Sequence, residues 1–173
     1  MNAIIQNMLD RHSCRSFTAQ PVEAEKIDDL ITAAVWAPSG MNKQTWHFTV
    51  ITNPEKIQQL AAAVRKADNR PDNYNFYAPT VFFIVSGERD NRNSMLDGSA
   101  AIENVLLAAT SLGLGSCWIN QVRDVCDDPA VRALLTEYGV PENHIVNACA
   151  SIGYAAAPAN VHERAENTVS IVK

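Results

Sequence analysis

Apolar residues recur at helical spacing along some stretches of the chain and crowd at strand spacing along others. Within residues 2–10, Ile4, Ile5, Met8 and Leu9 fall on one helical face. Residues 23–36 repeat the pattern with Ile27, Leu30, Ile31, Ala34 and Val35, and Pro38 stops the helix. Residues 46–52 are rich in aromatic and β-branched side chains and predict a strand. Asn53, Pro54 and Glu55 then offer an N-cap, a first-turn proline and an acid at the positive helix end. The helix they open runs to Ala67, with Ile57, Leu60, Ala61 and Val64 on its apolar face.

Residues 68–77 are polar and loop-like, whereas 81–85 form a continuous apolar run that predicts a strand buried on both faces. Residues 95–112 are apolar around much of the helical circumference, as in a central helix, and Gly113 ends them. A short strand follows at 116–119. Asp128 and Pro129 open another helix that Gly139 and Pro141 close. Residues 145–152 predict a further strand, and 169–172 a last one. No repeat, linker or low-complexity tract interrupts this order, which predicts one α+β domain over residues 1–173. The central helix carries more apolar face than one small sheet covers. A subunit interface is the favoured explanation, and a thick monomer core the other.

Composition narrows the classes. The net charge of -5 argues against a nucleic-acid partner, which needs a basic face. The four cysteines make no Cys-x-x-Cys pair and no zinc spacing with histidines; Cys117 and Cys149 lie in apolar runs, which favours a reducing compartment. Residues 1–10 lack the pattern of a signal peptide, and the apolar stretch 100–114 is broken by Glu103, Asn104, Thr110 and Ser111. A soluble, cytoplasmic protein without membrane contact is expected.

Three segments carry candidate chemistry. Arg11, His12, Ser13, Cys14 and Arg15 follow the first helix directly and place two guanidiniums, an imidazole and a hydroxyl within one anion-binding reach. A basic cluster at a helix C-terminus complementing the macrodipole is the plainer reading of those residues alone. Residues 37–46 join a helix to a strand: Pro38 and Gly40 shape the path, and Ser39, Asn42 and Gln44 offer neutral donors and acceptors suited to the imide edge of a heterocycle. An ordinary polar turn is the alternative. The third segment, Gly113, Leu114, Gly115, Ser116, Cys117, Trp118, Ile119 and Asn120, follows a helix and precedes a strand, the reverse of the dinucleotide-binding order, and lacks the third glycine.

Taken together and in order, these segments resemble the nitroreductase family over nearly the whole chain. The resemblance rests on Arg11, Ser13, Arg15 and Phe17 in an Arg-x-Ser-x-Arg-x-Phe opening, and on the Ala-Pro-Ser-Gly-x-Asn-x-Gln-x-Trp loop from Ala37 to Trp46. It continues through Ala78-Pro79, the Leu-Gly-Leu-Gly-Ser-Cys-Trp-Ile run ending at Ile119, Ile152-Gly153-Tyr154 and the late Arg164. It implies an α+β fold with a central, mainly antiparallel sheet flanked by helices, a domain-swapped homodimer, and one FMN at each end of the interface. NADH or NADPH would be the electron donor and a small electron-poor molecule, a nitroaromatic or a quinone, the acceptor, in a ping-pong sequence. Reductive dehalogenation, or flavin binding without turnover, is the alternative.

The resemblance also assigns residues. Arg11 and Arg164 are implied as phosphate ligands with His12 and Ser13 beside them, and Arg15 as the cation near flavin N1 and O2. Pro38, Ser39, Gly40 and Asn42 would reach the flavin from the other subunit. The backbone at Trp118, Ile119, Asn120 and Gln121 would cover one flavin face and offer an N–H near N5, and Asn73 would contact the pyrimidine edge. No side chain is implied as nucleophile or acid–base catalyst, because flavin N5 carries the chemistry, and no metal is implied. Thr45 stands where the family often has proline, His162 roughly where it often has lysine, and the segment between Ala67 and Ala78 is short. The last departure removes the excursion that builds much of the acceptor pocket in larger relatives.

Overall fold

Residues 1–158 and 161–173 are described by the computed structural model. Strands β1 (Trp46–Ile51), β2 (Val81–Glu88), β3 (Gly115–Ile119) and β4 (His144–Gly153) form an antiparallel sheet in the order β1-β2-β4-β3. Around it lie α1 (Ala3–Asp10), α2 (Ala24–Val35), α3 (Pro54–Ala67), α4 (Ser94–Ser111), the short α5 (Gln121–Asp124) and α6 (Pro129–Glu137). The architecture is α+β, as expected.

Local chemistry sets the helix ends. The Asn53 side chain accepts from the N–H groups of Glu55 (2.9 Å) and Lys56 (3.1 Å), and Asp128 accepts from those of Ala130 (3.0 Å) and Val131 (3.4 Å). Gly113, at φ 73°, turns the chain out of α4 toward β3.

The sheet is covered on both faces. Phe82 and Ile84 of β2 face α3 and α6 with Cys117, Ile119 and Cys149, while Val81, Phe83 and Val85 face α2 and α4 with Ala148, Ala150 and Ile152. Because side chains alternate along a strand, Val146 should share the α4 face with Ala148. A register shift at Val85/Ser86 places Asn147 as an extra residue in β4, so Val146 joins the opposite core with Cys149. The bulge turns Asn147 onto the first turn of α4, where its Nδ2 donates to the Ser94 carbonyl at 2.8 Å.

One expectation needs correction. Residues 169–172 form no strand: Val169, Ile171 and Val172 are 78%, 79% and 96% exposed, and apolar side chains without a facing strand gain nothing from pairing. The buried side chains of the central helix, from Ser94 through Asp97, Ala101, Val105 and Ala109, make one stripe, and its apolar Met95 and Leu96 lie outside it, exposed. The 3-10 turn Gly40–Asn42 and α5 are too short to leave a periodic signal. The four cysteines are free and buried, as a core role requires. No described helix is long and apolar enough to cross a membrane.

Candidate functional site

The basic segment that follows α1 is laid along the outer edge of β3. Arg11 is the C-cap of α1, its N–H donating to the Asn7 carbonyl. Ser13 then pairs in parallel with Ser116, and the Cys14 N–H donates to the Ser116 carbonyl at 2.8 Å. This approach needs Gly115: a Cβ there would stand 2.8 Å from both Cβ and Sγ of Cys14. Phe17 closes the segment by pairing with Ala155.

This pairing gathers the cations. Burial pushes the Cys117 thiol up, Arg15, Ser13 and Arg11 pull it back, and burial wins. The thiol stays protonated and inert. Arg11 reaches Glu103 of α4 at 3.9 Å, a half-exposed pair of little energetic consequence. His12 and Ser13 are half-buried and Arg15 is exposed.

Arg15 lines a cleft of about 470 Å³ whose other wall is the 68–78 loop, contributing Asn73, Asn75 and Tyr77. The loop is braced from inside: the Arg65 guanidinium donates to the Asp72 carbonyl, Arg70 pairs with Asp68 at 2.6 Å, and the Arg70 guanidinium sits 6.0 Å from the Tyr74 ring centre. Burial raises the Tyr74 phenol well above its ordinary value, so it remains neutral. Arg15 and Asn73, far apart in sequence, thus share one cleft, and no carboxylate among the described residues lines it.

Trp118 and Ile119 end the same edge strand, and Asn120 follows them as the N-cap of α5. The Ile119 side chain is core, and the Trp118 indole N–H donates to the Asn120 side chain at 2.7 Å, so the backbone is what these residues can offer. Since the Ser116 carbonyl faces residue Cys14, strand alternation turns the Trp118 N–H and carbonyl the same way, beyond the Ser13–Ser116 pairing.

The second polar loop is built on side chains. Asp97, buried in the first turn of α4, accepts the Gly40 N–H at 2.9 Å. Ser39 Oγ accepts the Gln44 N–H at 3.1 Å, and the Gln44 amide donates to Asn42 Oδ1 at 2.8 Å. These bonds hold Met41, Asn42 and Gln44 at φ 55°, 53° and 50°, a region costing roughly 1–2 kcal/mol for an ordinary L-residue. Pro38 and Asn42 are exposed, Ser39 and Gly40 half-buried. The loop does not line the Arg15 cleft; a separate cavity of about 350 Å³ lies beside it, with Met41, Lys43 and Thr45.

The structure therefore brings Arg11, His12, Ser13, Arg15, Asn73 and the Trp118 strand end to one side, and leaves Pro38, Ser39, Gly40 and Asn42 elsewhere. Arg164 and His162 lie on the exposed tail beyond Asn160. Asp97 escaped sequence reasoning as a functional residue. Its signal was an acid in line with the helix's buried stripe, between Ser94 and Ala101.

The donor set suits a phosphorylated flavin. Guanidiniums, an imidazole and a hydroxyl fit a dianionic phosphate, and the Arg15–Asn73 pair, donor and mixed donor–acceptor, fits an imide edge. Comparison with known proteins points the same way. The sequence profile of the Nitroreductase family matches residues 8–154. A Bacteroides fragilis nitroreductase solved with bound FMN is 36% identical, with a TM-score of 0.95 and 100% of each chain covered. An Archaeoglobus fulgidus protein provisionally named NADH dehydrogenase/NAD(P)H nitroreductase is 30% identical over 158 residues, 89% of this chain and 86% of its own. A Bacillus subtilis FMN reductase [NAD(P)H] is 32% identical over 141 residues, 71% of this chain and 56% of its own.

Proposed function

The chain belongs to the nitroreductase family, and on that premise we propose that it is an FMN-dependent oxidoreductase that passes reducing equivalents from NADH or NADPH to a small electron-poor acceptor in a ping-pong sequence. The observation that carries this reading is the cleft shared by Arg15 and Asn73, without a carboxylate among the described residues that line it and next to the Arg11–Ser13 donors. When bound, FMN would supply a carrier that takes a hydride at N5 and hands it on. The protein's part is to bind and orient. Arg11, His12 and Ser13 would hold the phosphate, with Arg164 joining from the tail. Arg15 would place a fixed charge at N1 and O2, which favours the reduced form because negative charge gathers there. Asn73 would fix the pyrimidine edge, and the backbone at Trp118, Ile119 and Asn120 would cover one face.

A homodimer completes the proposal. Ile4, Ile5, Met8 and Leu9 of α1 are 46–66% exposed, Trp36 81%, Met41 80% and Leu96 68%, apolar side chains that the chain itself leaves uncovered. A neighbour seated there would bring its own Pro38, Ser39, Gly40 and Asn42 toward this chain's cleft. The exposed tail, with Val169 and Ile171 at strand spacing, is available to cross onto that neighbour.

Purified protein should be yellow and release FMN rather than FAD on denaturation, and should oxidise NADH or NADPH with a quinone acceptor. A colourless protein that takes up no added FMN would overturn the reading. With FMN saturating, Arg15→Gln should lower the flavin midpoint by tens of millivolts, since ~30 mV corresponds to about 1.4 kcal/mol for a two-electron couple. Arg11→Gln should instead weaken FMN binding and leave the potential nearly unchanged. Spectroelectrochemical titration separates the two.

A further inference from the structure

Phe76, Tyr77 and Ala78 stand at φ 56°, 69° and 51°, three consecutive non-glycine residues in the left-handed region. A turn needed only for chain reversal would place glycine or asparagine there. The conformation is imposed from the core. The Phe76 ring is fully buried and stacks on Phe82, with ring centres 4.3 Å apart and planes at 18°. The Phe76 carbonyl accepts the hydroxyl of fully buried Ser151 at 2.7 Å, and the Ala78 N–H donates to the Asn75 carbonyl at 2.9 Å.

With both neighbours fixed, the middle side chain leaves the core. Tyr77 belongs to neither hydrophobic cluster, is 38% exposed, and lines the cleft that holds Arg15 and Asn73. Tyr74 differs: its ring packs edge-on against Phe76 at 5.5 Å and its hydroxyl is buried, so it serves as scaffold. The core thus holds a strained turn that sends an aromatic ring into the cleft, whose lining also includes Phe17, Asn73, Asn75 and the core-anchored Tyr74.

We propose that Tyr77 is the specificity-determining residue for the acceptor, its ring forming the aromatic wall that favours planar, electron-poor aromatic oxidants over compact ones. This rests on the reading that the cleft holds FMN. A phenol ring is electron-rich and stacks offset on an electron-poor ring, while Asn75, which the flavin does not claim, can donate to quinone or nitro oxygens. The redox balance is simple: NAD(P)H gives up a hydride, and a quinone gains two electrons and two protons, one of them from solvent. Ferricyanide, two ions per NAD(P)H, takes single electrons without needing a stacking surface.

The test uses FMN-saturated protein with 1,4-naphthoquinone and ferricyanide as alternative acceptors. Tyr77→Ala should lower kcat/KM for the quinone about tenfold, chiefly through KM, and leave ferricyanide within about twofold. Tyr77→Phe should keep the quinone-to-ferricyanide ratio near that of the parent. Tyr77→Gly relieves the positive φ, so it should fold at least as stably as the parent and show the same loss as Tyr77→Ala. An unchanged ratio in both small variants, or an equal fall for both acceptors, would overturn the proposal while FMN binding and NAD(P)H oxidation stand. Failure of the parent protein to bind FMN would overturn the reading of the cleft itself, and the proposal with it.

Discussion

The basic segment at residues 11–15 and the polar loop at residues 38–44 both present groups suited to a flavin, yet they are held by different physics. The first is stitched by backbone pairing to the edge of β3, with Ser13 opposite Ser116 and Cys14 seated against Gly115. Its exposed Arg15 side chain is left to meet a ligand. The second is held through side chains, chiefly the buried Asp97 carboxylate on the Gly40 N–H, and spends Ser39 Oγ and Asn42 Oδ1 on closing itself. Backbone pairing tolerates most side-chain changes and fails where two chains approach closest. A loop held by one carboxylate fails when that group is lost.

The largest effect should come from the close approach. Gly115→Ala places a methyl within 2.8 Å of Cys14 and 3.4 Å of Ala155, and overpacking of this kind costs about 1–3 kcal/mol. Urea denaturation should show that loss, and flavin titration a matching fall in FMN affinity as the cationic segment lifts from β3. Cys14→Gly in the same chain should restore part of both. Unchanged affinity would show that the pairing does not position the cations.

A smaller and more local effect is expected at the loop. Asp97→Ala removes a charge-assisted hydrogen bond worth about 1.5–3 kcal/mol. It also removes a buried carboxylate whose Oδ2 has no partner among the described residues, which offsets the loss. Global stability should therefore shift by no more than about 1 kcal/mol, while the Gly40 N–H loses its protection against hydrogen exchange. Protection that survives in Asp97→Ala would mean the loop is held by something else.

The smallest effect is a pH dependence that belongs to the loop's end of the sheet. His144, paired in register with Glu88, is held below its ordinary pKa by burial and by His47, with Glu88 opposing; its Nδ1 lies 3.2 Å from Ser86 Oγ. Glu88 in turn donates its N–H to the Thr45 carbonyl at 3.3 Å, where the loop enters β1. A base with a lowered folded pKa binds fewer protons folded than unfolded. Its stabilisation is present above the ordinary histidine value and is lost as pH falls through the lowered one. Denaturation midpoints taken from about pH 7.5 down to about pH 5 should decline on this account, and His144→Asn should flatten that part of the curve. An identical slope in the variant would assign the dependence to other groups.

What the sequence determined about this protein lies in interactions between near neighbours along the chain. Asn53 and Asp128 cap the helices they precede, Gly113 leaves α4 at positive φ, and the unbroken apolar run of β2 is buried on both faces. The motifs around residues 11–15, 37–46 and 112–120 were legible because their residue types and order are unusual together. The tertiary structure alone decided how these pieces meet. Gly40 and Asp97 are separated by 57 positions, and nothing in either neighbourhood marks the other as its partner. The extra residue at Asn147 exists only because β2 and β4 must pair while α4 presses on them, and the left-handed turn at Tyr77 exists only because Phe76 and Ser151 fix it from the core. The expected strand at residues 169–172 shows the same limit from the other side. Its pattern suits pairing, but a strand forms only against an edge that supplies donors and acceptors, and within one chain these residues meet none. Local propensities set the elements, and contacts between distant segments, which have no energy until the chain is folded, set the site.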